Sequence, residues 1–358
     1  MSGLNVAVVG ATGLVGAEFL GILEDWSVPV SSLRLCASDR SAGQRLPFKG
    51  VELTVEETTD DSFQGIDVAL FSAGADVSKR FSPVAARSGA VVVDNSSAFR
   101  MDPQSPLVVP EVNPGDLEGH LGIIANPNCS TIQMVVALNP LHQINPIKRI
   151  IVSTYQAVAG TGTAAVEELN QQIRQVMKGE ATSPNVYPHQ IAFNVIPFVD
   201  GFLDNGHTVE EWKMVTETRK IMHLSDLPIS ATCVRVPVYL SHSEAVNVEF
   251  THPMSPQEAR EILSDAPGVA VLDDPSHDLY PLPINATGRD EVFVGRIREG
   301  LAHPNSLAMW IVADDLRKGA ALNAVQIAEE ILNRDLLDKA RTGAAQTSVA
   351  GDPPPHVR

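Results

Sequence analysis

The sequence predicts a doubly wound, parallel α/β sheet followed by a second α+β domain with a mixed sheet. Three observations carry this. Short apolar runs of strand length alternate with helical patterns as far as Ala125, as expected where helices cross over between parallel strands. The first run leads directly into a turn with three glycines, Gly10, Gly13 and Gly16. Beyond Cys129 the pattern changes, and the 358 residues are enough for two cores.

Residues 4–9 are apolar and rich in Val, hence a buried strand, and a helical pattern follows the glycine turn to about Trp26. Residues 33–37, 67–71, 90–94 and 122–125 read as further apolar strands, with a helical pattern over 76–87. Another helical pattern begins at Thr131, then a strand over 149–155 and a long helix over 163–178. The stretch 179–207 is rich in Pro, Gly and Asn, which favours a long loop. Residues 231–238, 245–251, 291–298 and 307–312 are strand-like, with partly antiparallel pairing expected. A helical pattern from Gly319 is expected to pack back on the first domain. The polar tail 342–358, with three consecutive prolines, is expected to be disordered. The domains so expected are 1–128 with 318–341, and 129–317.

Lys and Arg number 26 against 43 Asp and Glu, a formal charge of −17 that disfavours nucleic acid and anionic membranes as partners. An anionic small-molecule substrate needs a local cluster of cations instead. The three cysteines, Cys36, Cys129 and Cys233, make no disulfide framework and lack metal-ligand spacing, so no metal is expected. With no secretory signal and no membrane-length apolar run, a cytoplasmic setting is expected.

Cys129 lies where an apolar strand meets the turn Asn126-Pro127-Asn128 and a helical pattern begins. A thiol at a helix N-terminus is expected to have a lowered pKa, which suits covalent catalysis on a carbonyl. A buried structural thiol is the plainer alternative, and it is the reading for Cys36 and Cys233 in their apolar runs. The turn Gly10-Ala-Thr12-Gly13-Leu14-Val15-Gly16 sits between strand and helix, where backbone N–H groups can cradle a pyrophosphate. After the second strand, Asp39 would favour NAD, whereas Ser38, Arg40 and Ser41 together can hold a 2′-phosphate. NADP, with Asp39 turned outward, is the expected cofactor.

Five segments, covering nearly the whole chain up to the tail, resemble the aspartate-β-semialdehyde dehydrogenase family. They are Gly10 to Gly16, Asp94-Asn-Ser-Ser-Ala-Phe-Arg100, Asn126-Pro-Asn-Cys-Ser-Thr131, Gln156-Ala-Val-Ala-Gly-Thr-Gly162, and a region from Glu210 to His242 that includes Cys233-Val-Arg-Val-Pro-Val238. The resemblance implies a Rossmann-type NADP-binding domain with a catalytic and dimerisation domain, in a cytosolic homodimer or tetramer. It implies reductive dephosphorylation of 4-phospho-L-aspartate to L-aspartate 4-semialdehyde through a Cys thioester, within lysine, threonine, methionine and diaminopimelate biosynthesis.

On this resemblance Cys129 is the nucleophile, His242 the acid/base, and Gln156 the residue that orients the substrate. Arg235 would bind the α-carboxylate, for which a guanidinium fork is suited, and Glu210 the ammonium. Glu211 is adjacent, and Glu210 is chosen because its spacing to Lys213 puts both on one helix face. Arg100 and Lys213 would hold phosphate; Ala159, Gly160 and Asn323 would line the nicotinamide end. Arg235 and His242 stand seven apart, on opposite faces of one regular strand, so a bend after Pro237 is expected to re-aim one of them. An N-acetyl-glutamyl-phosphate reductase is the nearest rival, and a catalytically silent NADP-binding sensor is the alternative of another class. A glyceraldehyde-phosphate-type dehydrogenase lacks its Ser-Cys-Thr-Thr-Asn signature here.

Overall fold

A computed structural model describes residues 3–337; the expected tail, 342–358, lies outside them. The first sheet contains β1 (Leu4–Val9), β2 (Val30–Ala37), β3 (Arg45–Phe48), β4 (Val51–Glu57), β5 (Val68–Phe71), β6 (Val91–Asp94) and β7 (Ile123–Ala125). Its order is β3-β4-β2-β1-β5-β6-β7, and all pairs are parallel except β3 with β4. Helix α1 (Leu14–Glu24) follows β1 and α2 (Ala75–Arg87) follows β5. Because β1 has β2 on one side and β5 on the other, the chain reverses its winding there, and a crevice opens at the carboxyl ends of the strands. The hairpin β3–β4 was not expected from sequence. Most of its residues are exposed, so it carries no apolar run to betray it.

Helix α3 (Cys129–Ile144) leads into the second half. There the chain forms β8 (Ile147–Gln156), α4 (Thr163–Met177), α5 (Val209–Ile221), β9 (Ile229–Arg235), β10 (His242–Phe250), α6 (Pro256–Ser264), β11 (Val269–Val271), a short α7 (Pro283–Ala286), β12 (Val292–Glu299) and β13 (Ser306–Ala313). The second sheet is mixed, in the order β11-β12-β13-β10-β8-β9, with β10 antiparallel to both β8 and β13 and β8 parallel to β9. Helices α5 and α6 begin at capping boxes, Thr208 with Glu211 and Ser255 with Glu258. That S/T-x-x-E pattern was available in the sequence and marks both helices.

One face of the second sheet buries Val246, Val248 and Phe250 against Ile132 and Val135 of α3, Met214 and Ile221 of α5, and Leu263 of α6. The opposite face is open: Ile151 and Tyr155 are exposed, and Tyr155 packs on Trp310 with ring centroids 5.3 Å apart. After β13 a π-helical stretch, Arg317–Ala321, runs into α8 (Leu322–Asn333). Helix α8 buries Ala324, Val325, Ile327 and Ile331 in one cluster with Val6, Val8 and Phe19 of the first sheet and α1. No helix among the described residues is long and apolar enough to cross a membrane.

Candidate active site

The carboxyl ends of β5, β6 and β7 meet the ends of β8, β9 and β10 around a cavity of about 440 Å³. Three neighbouring strands of the second sheet supply its floor. Gln156 ends β8, Arg235 ends β9 in register with it, and His242 begins β10 on the other side of β8. No bend re-aims Arg235 or His242 within one strand, as the sequence reading supposed. The chain leaves β9 at Arg235 and re-enters the sheet two places away. Ser241, with φ 72, makes the re-entry, and its N–H donates to Asp315 Oδ1 at 2.7 Å.

Cys129 is the first residue of α3 and opens onto the cavity. The expected lowering of its thiol pKa is not what this setting produces. Burial pushes the thiol up to about 12, the Glu210 and Asp315 charges add to the rise, and Arg100 and Arg235 oppose it. The helix N-terminus is already occupied, because Asn128 Oδ1 accepts from the N–H groups of Ser130 and Thr131 at 3.1 and 3.2 Å. A helix N-terminus offers an anion about 0.3–1 kcal/mol, up to about 2 when partly buried. Raising the thiol from 9.0 to about 12 disfavours the thiolate by about 4 kcal/mol, so burial wins. Cys36 and Cys233 are buried in the core, as expected.

His242 is fully buried, and its ring is held far below its usual range, at about 3, by burial and by the Arg235 charge, with Glu210 opposing. Ala157 N–H donates to Nδ1 at 3.1 Å. A neutral imidazole that accepts at Nδ1 carries its proton at Nε2, and Nε2 has no partner among the described residues. A side chain at Gly160 would meet that nitrogen at 3.2 Å, so glycine there keeps the ring facing the cavity. Arg235 donates through one terminal nitrogen to Ala157 O at 2.6 Å.

The charged side of the cavity is built on α5 and the turn after β6. Glu210 Oε1 accepts from Asn128 Nδ2 at 2.8 Å and Gln156 Nε2 at 2.9 Å, and its Oε2 from Lys213 Nζ at 3.2 Å. Burial alone would raise this carboxyl; Lys213, the two amides and Arg235 together hold it at about 2. Glu211 faces away, capping α5 and accepting from Cys233 N–H, which supports the choice of Glu210. Lys213 also reaches Asp200 Oδ2 at 2.8 Å. Arg100 donates to Glu217 Oε1 at 3.1 Å and Asn95 O at 2.7 Å, and its Nε has no partner among the described residues. Glu217 accepts in addition from Asn128 N–H at 2.6 Å.

Val15, Ala159 and Gly160 line the same cavity. Gly10, Thr12 and Gly13 on the turn after β1, Leu14 and Gly16 in the first turn of α1, and Ser38, Arg40 and Ser41 after β2 lie outside it; Thr12 Oγ1 donates to Ser41 Oγ at 3.3 Å. Asp39 is exposed, its Oδ1 accepting from Arg40 N–H. The turn fits a dinucleotide pyrophosphate. Gly10 and Gly16 are required by packing, since a Cβ on either would stand 2.3 Å from a backbone oxygen. Gly13, by contrast, is exposed, and α1 starts there with no side-chain cap and no acidic residue in its first turn. Its N–H groups are free of a side-chain acceptor, as an anion site needs. Asn323 is not brought to the cavity. It is fully buried, donating to Val108 O and Asn126 Oδ1 and accepting from Lys318. Asp200, Glu217 and Asp315 are site residues that sequence reasoning missed; they stand alone in loops or on a helix, with no local pattern to mark them.

Two family models match the chain: the NAD-binding domain of semialdehyde dehydrogenases over residues 5–120, and the semialdehyde dehydrogenase dimerisation domain over 138–318. An aspartate-semialdehyde dehydrogenase of Aquifex aeolicus is 55% identical over 94% of this chain and 100% of its own length. Among solved structures, aspartate semialdehyde dehydrogenase II from Vibrio cholerae, complexed with ASA, matches with TM-score 0.91 at 43% identity, covering 93% of this chain and 99% of that one. The Candida albicans aspartate semialdehyde dehydrogenase with NADP matches with TM-score 0.75 at 26% identity, covering 94% and 100%.

Proposed function

The chain belongs to the aspartate-semialdehyde dehydrogenase family and has that family's oxidoreductase activity in amino-acid biosynthesis, and on this premise we propose how its own residues divide the reaction. Membership sets aside the N-acetyl-glutamyl and sensor readings. In the biosynthetic direction the Cys129 sulfur attacks the acyl carbon of the acyl phosphate. The carbon–oxygen bond to phosphate breaks, and the acyl group stays on sulfur as a thioester. When bound, the dinucleotide supplies the hydride. Arg100 and Lys213 offset the charge of the departing phosphate. Arg235 takes the α-carboxylate, and Glu210, ionised and held by Gln156 and Asn128, faces the ammonium.

His242 has two jobs that need different tautomers. With its proton on Nε2 it donates toward the acyl oxygen as charge gathers there. To accept the thiol proton it must carry hydrogen on Nδ1, give up the Ala157 N–H and turn to Asp315 Oδ1, 3.9 Å away. The observation that carries this reading is the convergence of Gln156, Arg235 and His242 from three adjacent strands upon Cys129.

Mixing the protein with aspartate semialdehyde and oxidised dinucleotide, without phosphate, tests it. One equivalent of dinucleotide should be reduced in a burst, and the peptide holding Cys129 should gain the acyl mass. Cys129→Ala should give neither; an adduct elsewhere, or none, overturns the assignment. The preferred cofactor is NADP, supported by Ser38, Arg40 and Ser41 beside Thr12 and by the NADP in the Candida relative. Initial rates should be higher with NADP than with NAD at equal concentration, and the reverse order rejects this. We assign self-association to the open face of the second sheet, within the dimerisation-domain match.

A further inference from the structure

We propose that Asp200 is the counter-ion of Lys213 in the free enzyme, displaced by phosphate, and that this exchange makes the site selective for a doubly charged anion. The inference rests on Lys213 as the phosphate holder. Lys213 Nζ lies between two carboxylates, Asp200 Oδ2 at 2.8 Å and Glu210 Oε2 at 3.2 Å. They are not equivalent. The Glu210 side chain is 6% exposed and is fixed by Asn128 and Gln156 as well as by the lysine. The Asp200 side chain is 51% exposed, and among the described residues its other oxygen accepts only from Gly201 N–H.

Asp200 stands in the left-handed region, φ 67, within the stretch between α4 and α5 that holds only isolated bridges. Its backbone is held by Glu168, which accepts from the N–H groups of Asn185 and Val186, by Gln172, which accepts from those of Ile191 and Ala192, and beside Asp200 by Gly201 O, which accepts from Val209 N–H at 2.7 Å; these hold the chain, not the Asp200 carboxylate. Asp200 and Lys213 both line the cavity. A phosphate group at hydrogen-bonding distance from Lys213 would meet the Asp200 carboxylate in the same space and with the same sign of charge. Lys213 has a third N–H to offer, but two like charges so close repel, and Asp200 is the carboxylate with few bonds and access to water, so it is the one that yields. A dianion gains enough at the Lys213 and Arg100 charges to displace it. A monoanion merely exchanges one single charge for another. In the reductive direction the returning Asp200 competes with departing phosphate and assists its release.

The test uses the full-length enzyme in the phosphorylating direction, with semialdehyde and NADP saturating and inorganic phosphate varied. Asp200→Asn, with Asp200→Ala as a second variant, should lower the KM for phosphate about twofold to fivefold, the upper range of a partly exposed ion pair. Chloride should compete with phosphate more strongly in both variants than in the wild type. Lys213→Met is the control and should raise the phosphate KM. If it does not, Lys213 is not the phosphate holder and the proposal falls with that reading. If Lys213→Met raises the KM while both Asp200 variants leave it unchanged or raise it, only the counter-ion role is overturned. A rise in semialdehyde KM with phosphate KM unmoved also overturns it, by assigning Asp200 to the substrate ammonium. Unchanged chloride competition overturns the selectivity.

Discussion

Cys129 begins α3, as its sequence context suggests, while its electrostatics run opposite to what that context suggests. The strand–turn–helix context placed the residue, since turn and cap are written within a few positions of it. Its pKa is set by groups the local sequence does not contain, Glu210 and Asp315 and the burial they share. The neighbouring Asn128 is also tied to Glu217, 89 residues away. A thiol raised to about 12 has a testable chemistry. In the free enzyme, alkylation of Cys129 by iodoacetamide should be slow at neutral pH and should climb about tenfold per pH unit from 7 to 9, because the thiolate fraction does so below the pKa. A rate that levels off near pH 7 would restore the low-pKa thiol. Peptide mass spectrometry separates this site from Cys36 and Cys233, which are both buried.

At the scale of elements, the site depends on strand ends and on one close helical approach. The alternating strands and helices of the first half were legible because the central strands are short, mostly apolar and buried, as in β1 and β5, whereas the exposed hairpin β3–β4 was not. The re-entry from Arg235 to His242 was not legible, because sequence spacing does not say that a chain will skip a neighbour in a sheet. The π-helical stretch Arg317–Ala321 passes so near α3 that a Cβ on Gly319 would stand 2.9 Å from Cys129 Cβ. Gly319→Ala should therefore displace Cys129, the proposed nucleophile, while keeping the fold. We expect kcat to fall about a hundredfold, the cost of a displacement near 1 Å, with dinucleotide affinity changed little. Full activity in steady-state assays of this variant would show that the two elements part without cost to the site.

For the whole molecule, the second sheet is finished on one face only. Its inner face is closed by α3, α5 and α6, and its outer face leaves Ile151 and Tyr155 exposed beside Trp310. A stable interface buries about 1,200–2,000 Å², and a six-stranded face offers an apolar centre for one. Ile151→Glu should shift the mass read by light scattering from two chains or more toward one, whereas an unchanged mass would place the contact elsewhere. The chain passes between the halves twice, once through Asn126–Cys129 and once through Asp315–Ala320, and both passages form part of the cavity wall. The joint of this molecule and its reaction chamber are thus the same few residues. Any rocking of one half upon the other is felt first at the sulfur, so a tightening of the bound pair of reactants and a stiffening of the frame are a single event.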